Sequence, residues 1–141
     1  MKVAIASDHA GFQTKVELDS FLRKLGHTVN DFGTDSTDSV DYPDFAKLVA
    51  KSVSSQKADV GVLVCGSGIG MAITANRFKN VRAVVVNDAF DAEMSRRHNN
   101  ANVACFGARK TSVDKAKELL AIWLKTPFEG GRHEGRVKKM D

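Results

Sequence analysis

Two cysteines, Cys65 and Cys105, are all that the 141 residues contain. That is too few for a disulfide scaffold and fits a reducing compartment. No apolar run approaches the roughly 18 residues of a membrane-crossing helix, so no membrane partner is expected. The N-terminal MKVAIASDHAG has a four-residue apolar stretch, short of a signal-peptide core, and the chain is expected in the cytoplasm. Zinc-ligand spacing is also missing: the cysteines lie forty residues apart and the histidines are scattered, so neither a metal nor a cofactor is expected. No aromatic platform or reading motif for nucleic acid accompanies the mild net charge of +4. Much of that charge sits in the tail GRHEGRVKKM, with Arg132, Arg136, Lys138 and Lys139, and it points to anionic small molecules instead.

What remains is the composition of an ordinary globular protein, 43% hydrophobic and 27% charged, at a length that suits one domain over 1–141. Strand-like runs alternate with helix-like periodicity. KVAIAS (2–7), HTVNDF (27–32), DVGVLV (59–64), RAVVVN (82–87) and NVACFG (102–107) read as strands, the second of them an edge. Between them, Phe12, Val16, Phe21, Leu22 and Leu25 recur at helical spacing up to a stop at Gly26. Asp41-Tyr42-Pro43 starts a second helix, with Phe45, Leu48, Val49 and Val53 on one face. Further helices follow over 69–77, through His98, and through Val113, Ala116, Leu119, Leu120 and Trp123. Five βα units predict a three-layer α/β/α domain with an open, Rossmann-like, five-stranded parallel sheet, followed by a basic helical tail.

In such sheets ligands bind beyond the carboxyl ends of the strands. The residues there are Ser7-Asp8-His9, Gly33-Thr34-Asp35, Cys65-Gly66-Ser67-Gly68, Asn87-Asp88 and Gly107-Ala108-Arg109. Glycines at 66, 68 and 70 let the backbone present successive N–H groups at a helix start, an anion-binding arrangement. Cys65 stands where a thiolate would be favoured, although a cysteine finishing a core strand can equally be a small hydrophobe. Cys105, with no polar company, reads as core. Asp8 could be an N-cap, His98 could complement a helix C-terminus, and Arg132 and Arg136, four apart, could be surface charges or a phosphate fork. A nucleotide site is the rival: Asp88 lies where a ribose-binding acid would fall, but Met71 occupies the small-residue position of the dinucleotide fingerprint. Taken together, these parts suit proton abstraction beside the carbonyl of a sugar phosphate.

SDHAG (7–11), DYPDFA (41–46), CGSGIG (65–70), the RHNNAN run (97–102), FGAR (106–109) and GRHEGRV (131–137) resemble the type B ribose-5-phosphate isomerases along essentially the whole chain. That family also includes allose-6-phosphate and galactose-6-phosphate isomerases. The resemblance implies an aldose–ketose isomerisation through a cis-enediolate, without a metal. By that resemblance Cys65 transfers the proton. The amides of Gly66, Ser67, Gly68, Ile69 and Gly70 hold the enediolate, assisted by the Ser67 hydroxyl. His98 opens the furanose ring, while Asp8, Tyr42 and Asn99 position sugar hydroxyls. His9, Arg109, Arg132 and Arg136 meet the phosphate. Some members use a glutamate from the following helix as base; Met71-Ala72-Ile73-Thr74-Ala75 offers no carboxylate, which leaves Cys65.

His98 does not fit the edge rule. It lies in the connection into the fifth strand, at the opposite end of the sheet from Cys65, and a six-residue strand spans roughly 20 Å. Either that helix is displaced or His98, with Asn99, serves a neighbouring subunit. The second option, which the family's shared sites also suggest, predicts a homodimer with composite sites, alone or paired into a dimer of dimers. The alternatives are a six-carbon sugar-phosphate isomerase or, in a different class, a non-catalytic module that binds a phosphorylated sugar or a nucleotide.

Overall fold

The computed structural model describes residues 1–141. The five apolar runs form β1 (Lys2–Ser7), β2 (Thr28–Asp31), β3 (Val60–Cys65), β4 (Ala83–Val85) and β5 (Val103–Gly107). They pair in parallel in the order β2-β1-β3-β5-β4. The helices are α1 (Phe12–Lys24), α2 (Tyr42–Ser54), α3 (Ile69–Ala75), α4 (Ala89–Arg97), α5 (Val113–Lys125) and α6 (Arg132–Met140).

Both faces of the sheet are covered, as its unbroken apolar strands require. Alternate residues of β3 divide between two cores. Val60, Val62 and Val64 join Leu18, Leu22, Phe106, Leu119 and Trp123 on the α1/α5 side. Leu63 and Cys65 join Val49, Ala50, Val53, Met71 and Ala75 on the α2/α3 side. The chain moves outward from β1 to β2, then crosses back over β1 to β3, so the winding reverses between β1 and β3. Ser7 lies opposite Val64 in that register, which sets Asp8 beside Cys65 at the topological switch point.

Three readings from periodicity shift. In α1 the buried face is Thr14, Lys15, Leu18 and Leu22, with Val16 and Leu25 exposed. The cause is Lys15, whose Nζ runs inward to donate to Asp31 (2.8 Å) and to the Thr34 carbonyl (2.7 Å), a polar group buried because it is fully paired. In α2 the small Ala46 and Ala50 lie inward with Val49 and Val53, bringing the helix close to the sheet and leaving Leu48 exposed. α3 stops at Ala75, with Asn76 as its C-cap, two residues short of the expected Arg77. The basic tail is a packed element: His133 and Val137, four apart, are buried, and Arg82 holds Asp141 at 3.2 Å.

Candidate active site

A cavity of about 660 Å³ opens at the switch point, lined by Asp8, Tyr42, Cys65, Gly66, Ser67, Ile69, Gly70, Arg109 and their neighbours. Cys65 ends β3 and is 5% exposed. The loop behind it turns back because Gly68 takes φ 79°, a left-handed conformation that a side chain would strain. That turn aims the Gly68 N–H at Cys65 Sγ, 3.1 Å away, a contact that stabilises negative charge on sulfur. The Ile69 N–H goes to Ser67 Oγ at 3.2 Å. Two of the five loop amides expected to hold an oxyanion are therefore engaged within the loop. The Gly66 and Ser67 N–H groups donate to no protein acceptor and remain available.

Around this loop, Asp8 is buried and accepts from the Gly11 N–H at 3.1 Å, closing the turn before α1; the N-cap of that helix is Gly11, not Asp8, and the Asp8 carboxylate also borders the cavity. Tyr42 lies against Gly70 so closely that any Cβ at 70 would enter the phenol ring. Arg109 packs over Gly66. His9 accepts from the Val40 N–H through Nδ1 at 3.1 Å. Cys105 is fully buried; burial first, and then the neighbouring Cys65, push its thiol well above the ordinary range, so it is core as expected. Asp88 caps α4 by accepting from the Asp91 N–H at 2.8 Å, which gives it a structural role at the position where the nucleotide reading sought a ribose-binding acid.

The other expected residues are elsewhere. His98 caps the C-terminus of α4, which runs back toward the amino end of the parallel sheet. It does not line the Cys65 cavity, and neither do Asn99, Arg132 or Arg136. Instead His98 stacks on His133, ring centroids 4.2 Å and planes 13° apart. Glu129 faces both imidazoles, its oxygens 3.8 Å from His98 Nε2 and 3.9 Å from His133 Nε2. Burial and the facing His98 hold the His133 imidazole below its usual range. Arg132 and Arg136 project from the exposed face of α6 with no carboxylate partner. Each chain thus carries half of the expected constellation at each end of its sheet.

Residues 3–140 match the ribose/galactose isomerase family. The chain belongs to that family. Ribose-5-phosphate isomerase B of Escherichia coli is 42% identical over 97% of this chain and 92% of its own. The fold superposes on ribose-5-phosphate isomerase B of Clostridium thermocellum with TM-score 0.98 at 46% identity, covering 99% of this chain and 95% of the other. A ribose 5-phosphate isomerase from Thermotoga maritima gives 0.96 at 46%, with coverages of 99% and 97%. The chain is a sugar-phosphate isomerase with the five-stranded parallel fold of these relatives. No helix of the isomerase is long and apolar enough to cross a membrane.

Sequence reasoning missed several residues. Ile73, Val85 and Lys110 line the cavity but stand outside the quoted motifs that carried the reading. His133 lies between the two arginines, and its four-residue spacing from Val137 marks an inward face. Glu129 carried no local signal at all.

Proposed function

We propose that the isomerase interconverts ribose 5-phosphate and ribulose 5-phosphate through a cis-enediolate. The observation that carries this is the Cys65 sulfur, held by the Gly68 amide, beside the uncommitted Gly66 and Ser67 amides in one cavity. A thiolate there removes the C2 proton of the aldose. The electron pair moves into an enediol double bond, and the carbonyl oxygen O1 becomes an oxyanion facing the two amides and the Ser67 hydroxyl. The hydroxyl proton passes from O2 to O1 across the cis-enediolate, the charge moves to O2, and as the C2 carbonyl forms the same sulfur returns its proton to C1, which gives the ketose. A positioned base contributes roughly 10²–10⁴-fold, and an oxyanion donor roughly 10²–10³-fold.

The pocket is completed by a second copy of the chain. His98 of that copy opens the ring and Asn99 travels with it. Asp8 and Tyr42 orient sugar hydroxyls, and His9 and Arg109 meet the phosphate with the partner's pair of unpaired arginines on α6. A two-fold dimer supplies both halves twice, since one self-complementary contact brings each amino end to the other's carboxyl end. Ile69 and Ile73, exposed at the cavity rim, give that contact apolar surface. The relatives named as ribose-5-phosphate isomerases support the five-carbon substrate, and with it a place in pentose phosphate metabolism.

The test is turnover of ribose 5-phosphate beside allose 6-phosphate and galactose 6-phosphate, by wild type and Cys65→Ala. Ribose 5-phosphate should be preferred and the substitution should lower its turnover by roughly 10²–10⁴-fold. Preference for a six-carbon substrate would reassign the specificity; a fully active Cys65→Ala would remove the thiol from the chemistry.

A further inference from the structure

His98, Glu129 and His133 come from the end of α4, the α5–α6 connection and the first turn of α6, and their ligand atoms all lie within 4.8 Å of one another. His133 is 5% exposed, and its Nε2 is buried with no hydrogen-bond partner although it faces the carboxylate. The nitrogen–oxygen separations of 3.8 and 3.9 Å are too long for hydrogen bonds. They approach the ligand–ligand spacing around a tetrahedral ion, roughly 3.4 Å for bonds of about 2.0–2.1 Å. Two imidazoles and a carboxylate are a zinc-type donor set.

We propose that His98, Glu129 and His133 form a site for a divalent transition metal such as Zn²⁺, with water as a fourth ligand. Binding turns the His98 ring out of its stack on His133, since parallel rings cannot aim both lone pairs at one ion. His98 can make that turn: its side chain is 38% exposed and makes no hydrogen bond, being held by the stack on His133 and the long approach to Glu129. Opposing the ion are Arg97, which holds Glu129 Oε2 at 3.2 Å, and the nearby Arg132 and Arg136. Arg97 must release that oxygen, so the expected affinity is micromolar, far weaker than that of a structural zinc. An ion there also draws His98 away from the neighbouring pocket and inhibits turnover. That consequence rests on the function proposed above; the site itself does not.

The test titrates Zn²⁺ by calorimetry, and Co²⁺ by its visible spectrum, into the untagged Cys65→Ala chain, which removes the thiol as a rival ligand. One ion per chain should bind, with tetrahedral Co²⁺ absorption and no thiolate charge-transfer band. Glu129→Gln and His133→Asn should each weaken binding at least about tenfold. Glu129 is exposed, so its substitution reports even if the buried His133 variant misfolds. No binding at about 100 μM Zn²⁺, or binding that survives Glu129→Gln, would overturn the site. In the Cys65-containing chain, inhibition by Zn²⁺ should be relieved by Glu129→Gln. Ion binding at this site together with a wild-type chain that turns over no sugar phosphate would overturn the functional reading and leave the metal site standing.

Discussion

The two ends of the sheet are built by different means. At the carboxyl end, the groups around Cys65 include backbone amides of the short loop 66–68 between β3 and α3, and the sulfur itself ends a strand buried on both faces. At the amino end, the groups are side chains of α4, α6 and the segment between α5 and α6, gathered from positions far apart in the chain. The cysteine and its amides at the first end are encoded within a few residues. The second is exposed, rich in positive charge, and has unpaired arginines that no group in its own chain satisfies. Neither end holds the full set of groups that the proposed reaction asks for, a base, a ring-opening imidazole and a phosphate clamp. In the proposed reaction both ends serve one substrate, and groups within hydrogen-bond reach of it would then meet across a subunit contact.

The sharpest way to break this contrast is to remove one end at a time. Cys65→Ala should lower kcat by roughly 10²–10⁴-fold with unchanged circular dichroism, because β3 keeps its apolar neighbours. His98→Ala should be comparably impaired on the cyclic substrate. Mixing these two inactive proteins and allowing exchange should restore about one quarter of wild-type activity, since half the dimers are mixed and each then has one intact site of two. No recovery after exchange verified by mass spectrometry would mean that each site lies within one chain.

The arginines test the amino end more gently. Arg132→Ala or Arg136→Ala should each raise KM by about 10–100-fold with a smaller change in kcat, the effect of losing one charge-assisted contact worth about 1.5–3 kcal/mol. Steady-state kinetics decides this, and a pure kcat effect would place the arginines away from the ground-state phosphate. Thiol labelling compares the two cores. Iodoacetamide near neutral pH should modify Cys65, with protection by ribose 5-phosphate, while Cys105, buried and pushed upward, stays unmodified by peptide mapping.

The smallest expected effect concerns His133. Its folded-state pKa is lowered, so the unfolded chain binds the proton more readily. The stabilising preference is therefore present above the ordinary imidazole value of about 6.5 and is lost as pH falls below it. Urea midpoints at pH 7.5 and 5.5 should diverge more for wild type than for His133→Asn; equal divergence would mean that His133 titrates normally.

Much of the carboxyl end was legible in the sequence. Apolar runs of strand length, Gly26 and Pro43 as punctuation, and the CGSGIG loop depend on steric and backbone preferences acting within a few residues. They placed Cys65, Asp8 and Arg109 at one edge. The loop's internal bonds were not legible, because which amide turns toward Sγ depends on the φ of Gly68. The buried face of α1 departs from its apolar periodicity for a related reason. Lys15 is polar by type, and it is buried only because Asp31 and the Thr34 carbonyl meet it from the next unit.

By itself, then, the sequence determined the parallel α/β layering, the thiol-and-glycine loop and the mismatch of His98 with that loop, all consequences of local periodicity and strand direction. Tertiary structure alone decided that His98, Glu129 and His133 meet. Their packing depends on α6 folding back against the end of α4, through contacts such as the Glu129 N–H to the Arg97 carbonyl at 3.0 Å and Arg82 to Asp141. Such long-range docking leaves no periodic trace in the chain, because each partner residue is individually an ordinary surface type.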